Sequence, residues 1–242
     1  MTQFSSLLIY PFGNIPRVEV SVSLHYDNDW ERIVVVTWQE EDGLGLDYSQ
    51  MPQQFQEEHL KAKTTVEEMR GIYAYKAVKG QGSTTTIQYP HLDLTEMGGK
   101  FKSETLLKVL VVDDEQASLE VICDYCERQG FLTLEARDGL SAVEVFLRDR
   151  PKIVILDAQM SASSIDAVET IKRIRTIDTQ TCFIMTSHFE HDMLSVYQAR
   201  DNGALGYIVK PFHAERFNDF MLEAKGFVGL CQEVKKWSRI KA

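Results

Sequence analysis

Two runs of four apolar residues, Val109–Val112 and Ile153–Leu156, each stop at aspartate: Asp113-Asp114 after the first, Asp157 after the second. A strand that is apolar at every position, without alternation, must be covered on both faces, and helices give a parallel sheet that cover. The neighbouring segments keep the rhythm. Ala117–Gln129 has helical spacing in Leu119, Ile122, Cys123 and Cys126 and meets Gly130, a residue suited to ending a helix. Phe131–Ala136, Cys182–Met185 and Leu205–Val209 read as strands. Ser141–Arg148 (closed by Pro151), Val168–Ile177, Met193–Asn202 (ending at Gly203) and Ala214 onward read as helices. Five strands alternating with helices predict a doubly wound α/β domain with a five-stranded parallel sheet, whose functional groups collect at the carboxyl ends of the strands.

Those strand ends carry a chemistry. Asp113, Asp114 and Asp157 would lie close together on neighbouring strands, and three like charges in one crevice raise one another's pKa unless a cation joins them. An all-oxygen donor set with room for waters suits Mg2+. Thr186 and Lys210 end two further strands. A hydroxyl and an ammonium opposite a metal–acid cluster can hold a phosphoryl group from the other side.

Residues from about Leu106 to Ala224 resemble the receiver domain of two-component signalling. The resemblance rests on four ordered motifs: Val109-Leu110-Val111-Val112-Asp113-Asp114-Glu115, Ile153-Val154-Ile155-Leu156-Asp157, Ile184-Met185-Thr186-Ser187 and Tyr207-Ile208-Val209-Lys210-Pro211-Phe212. It implies a flavodoxin-like fold in which Asp157 takes a phosphoryl group from a phosphohistidine. By the same resemblance Asp113 and Asp114 hold Mg2+ with Asp157, and the backbone carbonyl of Gln159 completes the metal site. Lys210, Thr186 and Ser187 are implied to bind the phosphoryl group, and Lys210-Pro211 matches the family's cis-bonded pair. Thr186 and Tyr207 are the implied two-state switch. Gln159 and His188, two residues past Asp157 and Thr186, are expected to tune the lifetime of the aspartyl phosphate. The implied donor is a histidine kinase or phosphotransfer protein, the output a downstream protein partner, the location cytoplasmic. The implied catalysis is limited to the chain's own phosphorylation and dephosphorylation. One stretch departs from the pattern: after Asp157 the family's Met-Pro and Asp-Gly become Met160-Ser161 and Asp166-Ala167, in a loop about two residues longer.

The first hundred residues differ in composition. They hold 8 of the 14 Gly, 4 of the 6 Pro, and 8 Lys and Arg against 14 Asp and Glu. Gly98-Gly99 lowers the cost of a change of direction. The expected division is therefore a smaller α+β domain at 1–100 and the receiver, with a C-terminal helical extension, at 101–242. Alternation in Val18–Leu24 and Ile33–Trp38 predicts a hairpin, Pro52–Lys63 and Val66–Val78 read as helices, and Thr84–Tyr89 as a strand. Residues of about 15–90 resemble a truncated histidine-kinase ATP-binding domain, through Val18–Ser23, Ile33–Val36, Glu41-Asp42-Gly43-Leu44-Gly45 and Gly80–Ile87. Departures are marked: Glu41 replaces the adenine-binding Asp, no Asn-bearing helix precedes Val18, and no strand is visible between Lys76 and Gly80. The resemblance implies a degenerate module that serves as an interaction or dimerisation surface. Two alternatives stand beside this: the tail of a hybrid histidine kinase that still binds nucleotide, and a pseudo-receiver that works without phosphate.

Other classes are excluded as defaults. A net charge of −10 over 242 residues opposes general nucleic-acid binding. Lys235, Lys236, Arg239 and Lys241 read as a solvated basic end, and Gly226–Ala242 as a weak helical stripe too short for a DNA-binding output domain. No apolar run approaches a membrane span, and no secretory signal is visible at the N-terminus, so an intracellular soluble chain is expected. Cys123-x-x-Cys126 sits mid-helix and reads as core packing, and His59 as a surface helix residue.

Overall fold

The protein is described here by a computed structural model covering residues 17–26, 32–41, 45, 47–51, 53–90, 92–102, 106–160, 164–188 and 193–239. Its contacts divide the chain into two units: Met1–Ser23, Asp27–Leu92 and Cys231–Ala242 form one, Leu24–Tyr26 and Asp93–Leu230 the other.

The first unit is built on a four-stranded sheet. Strands β1 (Arg17–Tyr26) and β2 (Arg32–Glu41) are followed by helix α1 (Gln53–Glu68), then β3 (Ile72–Val78) and β4 (Gly82–Tyr89), in the spatial order β1-β2-β4-β3. Both β2 and β3 pair antiparallel with β4. The helix expected over Val66–Val78 is corrected here: α1 stops at Glu68 and Ile72–Val78 is a strand. Arg70 takes a left-handed φ of 58°, and the Gly71 N–H returns to the Val66 carbonyl at 2.8 Å, which closes the helix. Beyond it, Tyr73, Tyr75 and Val78 favour an extended, half-buried strand. The strand sought before Gly80 is therefore present. Gly80, with φ 75°, turns β3 into β4, so the Gly80–Gly82 pair serves a hairpin. The Leu7–Pro16 and Asp42–Leu44 stretches lie outside the described residues.

The second unit begins with α2 (Leu94–Lys100), capped by the Asp93 carboxylate on the Glu96 N–H at 2.8 Å. It continues β5 (Lys108–Val112), α3 (Gln116–Arg128), β6 (Leu132–Ala136), α4 (Gly139–Asp149), β7 (Ile153–Asp157), α5 (Ala167–Ile177), β8 (Cys182–Ser187), α6 (Met193–Asp201), β9 (Gly206–Val209) and α7 (Ala214–Arg239), whose residues up to Leu230 belong to this unit. The five strands are parallel in the order β6-β5-β7-β8-β9, the arrangement of a flavodoxin-like receiver fold. Every residue of the two founding runs is at most 1% exposed. Phe146 of α4 and Ile171 and Ile174 of α5 pack in one buried cluster with sheet residues such as Leu110, Val154 and Phe183. Cys123 and Cys126 are buried in α3, as core packing requires, and burial pushes both thiols up to about 12. No helix among the described residues is long and apolar enough to cross a membrane.

Gly98 and Gly226 have a use that composition hides. The described part of the stripe expected over Gly226–Ala242 continues one unbroken helix, α7, to Arg239, and Gly98 lies inside α2. A Cβ on Gly98 would meet the Leu222 carbonyl oxygen at 1.8 Å, and one on Gly226 the Leu94 oxygen at 2.0 Å, so the two helix backbones touch. Gly99 faces open space. Gly98→Ala should therefore cost about 1–3 kcal/mol through forced separation of the helices. Gly99→Ala should be neutral or stabilising by up to about 1 kcal/mol. Thermal unfolding of the two variants checks the contrast, and equal effects would contradict the crossing.

Candidate functional site

Strand register brings the expected residues to one edge of the sheet. Val112 pairs with Leu156, Asp157 with Thr186, and Ser187 with Val209, so Asp113, Asp157, Thr186 and Lys210 end adjacent strands on the same side. The strand order reverses between β5 and β7, and the crevice at such a point is where an open α/β sheet presents its ligand groups.

The cluster is tightly connected. Asp113 is fully buried, and its Oδ1 accepts the Glu115 N–H at 3.0 Å. The buried Lys210 ammonium donates to Asp113 Oδ2 at 2.7 Å and stands 3.0 Å from Asp157 Oδ1. The Thr186 hydroxyl reaches Asp157 Oδ1 at 3.4 Å, a long contact. One carboxylate oxygen from each of Asp113, Asp114 and Asp157 lies within 4.8 Å of the others. Lys210 precedes a cis peptide bond to Pro211.

Burial pushes the Asp157 carboxyl up to about 6. The Lys210 ammonium pulls it down, and Asp113 and Asp114 push it up again. Burial works to lower the Lys210 pKa, but the Asp113 hydrogen bond and the charges of Asp157 and Asp113 outweigh it, and the net shift is upward. Three carboxylates against one ammonium leave two negative charges in excess. Asp114 is partly exposed, so one side of the cluster is open to water. Hard oxygen donors, an excess of two charges and access for water fit Mg2+, which keeps several of its waters when bound.

The remaining expected residues are placed differently. Ser187 is buried, and its hydroxyl has no hydrogen-bond partner among the described residues. Gln159 and His188 are exposed just past Asp157 and Thr186. Tyr207 is half-buried, with the Arg200 guanidinium 5.2 Å from its ring centroid. Ser161–Ser163 of the altered loop lie outside the described residues, but Asp166 caps α5 by accepting the Glu169 N–H at 2.7 Å. His59, expected as an ordinary surface residue, is half-buried: its Nδ1 bonds the Tyr73 hydroxyl and its ring packs edge-on against Tyr75. Arg200 and Tyr26, which meet across most of the chain, carried no signal in the sequence.

The burial of Asp157 has a consequence for stability. Asp157 titrates near 6 when folded and near the ordinary 3.8 when unfolded, so the folded state binds the extra proton between those values. Its ionisation therefore costs stability as pH rises through that window. Asp157→Asn should raise stability at pH 7 by about 1 kcal/mol, a few degrees in Tm, with solvent screening allowed for. The gain should vanish below about pH 4, where the carboxyl is protonated in both states. Thermal melts at the two pH values check it, and a loss of stability at pH 7 would contradict it.

Residues 109–221 match the response regulator receiver domain family. Sporulation initiation phosphotransferase F of Bacillus subtilis (strain 168) is 32% identical over 113 residues, 46% of this chain and 88% of that protein. Chemotaxis protein CheY of the same organism is 34% identical over 110 residues, 45% of this chain and 89% of that protein. The crystal structure of NtrX from Brucella abortus superimposes with a TM-score of 0.51 at 26% identity, over 55% of this chain and 29% of that one. Receiver domains bind Mg2+ at an acidic pocket and interact with histidine kinases and phosphotransfer proteins. With most of two short relatives spanned at 32% and 34% identity, the chain belongs to the response regulator receiver family, and residues 109–221 carry that membership.

Proposed function

We propose that the chain is a cytoplasmic phosphorelay receiver in which Asp157 accepts a phosphoryl group from the phosphohistidine of a kinase or phosphotransfer protein. The observation that carries this is the Lys210 ammonium held between Asp113 and Asp157, at 2.7 Å and 3.0 Å, beside a third carboxylate. An Asp157 carboxylate oxygen forms a bond to phosphorus as the donor's nitrogen–phosphorus bond breaks. The electron pair leaves with the imidazole, which takes a proton from solvent. Asp113, Asp114, Asp157 and the Gln159 carbonyl would hold Mg2+, which when bound offsets charge on the transferring oxygens. Lys210 meets a phosphoryl oxygen, and Thr186, with Ser187 beside it, hydrogen-bonds another. Gln159 and His188, exposed at the rim, set how readily water reaches the product.

Thr186 and Tyr207 then form the switch, which presents a changed surface on α6, β9 and α7 to a downstream protein. Residues 1–100 serve as an interaction or dimerisation module and 101–242 as the receiver with its extended last helix. The hybrid-kinase reading would need nucleotide binding in the first unit, where Gly80–Gly82 forms a hairpin turn.

Incubation with acetyl phosphate and Mg2+ should give an acid-stable, base-labile adduct, absent in Asp157→Ala. Equal labelling of that variant would sink the proposal. Attack requires the carboxylate, so the labelling rate should climb with pH as Asp157 ionises. That climb centres near 6 at limiting Mg2+ and moves lower as Mg2+ is raised. A rate independent of pH from 4.5 to 7.5 (about three decades in proton activity) would contradict the assignment.

A further inference from the structure

The last three residues of β1, Leu24–Tyr26, belong by their contacts to the second unit. The Tyr26 hydroxyl is shared between the carbonyls of Ala204 at 2.7 Å and Leu205 at 2.8 Å. Those carbonyls lie in the turn that joins α6 to β9, directly ahead of Gly206 and Tyr207. The Arg200 guanidinium on α6 stands 5.2 Å from the ring centroid of Tyr26 and 5.2 Å from that of Tyr207. One cation therefore bridges the two tyrosine rings, and one hydroxyl ties down the backbone leading to the second of them. All three residues are half-buried, so the contact is partly shielded from water.

We propose that Tyr26 is the positioning residue that couples the state of the Asp157 site to the segment Leu24–Tyr26, through Arg200 and Tyr207. This rests on the receiver reading above. The arrangement holds Tyr207 on Arg200, and inward rotation of Tyr207 on phosphorylation removes one of the cation's two rings. A contact made in one state and lost in the other is a coupling free energy, and it acts in both directions. Tyr26 thus favours the resting state, and occupation of the Asp157 site loosens the end of β1.

The test uses the full chain with Mg2+ and beryllofluoride, a stable mimic of an acyl phosphate. In the wild type, beryllofluoride should raise amide hydrogen exchange at Leu24–Tyr26 as well as altering it at Thr186–Val209. Tyr26→Ala should bind beryllofluoride about three- to tenfold more tightly, the range expected from loss of a partly shielded cation–π contact and a hydrogen bond. Tyr26→Phe keeps the ring and should show a smaller gain. Unchanged or weaker binding by both variants overturns the inference, as does a wild-type response confined to Thr186–Val209. No response anywhere in the wild type overturns the receiver reading itself, and this inference with it. The exchange measurement on wild type decides the matter even where Tyr26→Ala fails to fold.

Discussion

One buried ammonium organises this site. Lys210 brings a positive charge between two carboxylates that are almost wholly removed from water, and without it Asp113 and Asp157 would be isolated buried charges. Removing that ammonium would strand the two carboxylates, at a cost of about 3–5 kcal/mol. The ammonium does not complete the balance, because Asp114 adds a third carboxylate. The protein thus keeps an excess of negative charge at the point where its sheet reverses strand order. That excess suits a divalent cation, and under the proposed function it prepares the site for the phosphoryl group that Lys210 and Thr186 would receive.

The second unit was largely legible in the sequence because its constraints are local. Val109–Val112 and Ile153–Leu156 are apolar on both faces, and only strands covered by helices satisfy that. Three helix ends carry their own markers: Gly130 with φ 79° after α3, Pro151 after α4, and Gly203 with φ 80° after α6. Since the acids directly follow the apolar runs, their meeting at one sheet edge followed from strand parallelism alone.

What escaped was long-range. The α1–β3 boundary depends on Arg70 adopting a left-handed conformation, while Val66, Met69 and Tyr73 mimic a helical stripe. Gly98 suggested a flexible joint, yet its missing side chain allows α2 to approach α7. The Tyr26–Arg200 contact joins positions 174 apart in number, as the difference of 200 and 26 shows. No periodicity or spacing rule reaches across such a distance. The same holds for the half-buried His59, whose tyrosine partners lie on β3, where residue spacing alone predicts a helix.

The proposed function depends on which aspartate receives the phosphoryl group, and chemical trapping reads that most directly. Borohydride reduces an aspartyl phosphate to homoserine, so the phosphorylated chain can be reduced, digested and mapped by mass spectrometry. Homoserine is expected at position 157 and at no other aspartate, including the adjacent Asp113 and Asp114. Homoserine at another position, or none after stoichiometric phosphorylation, would contradict it.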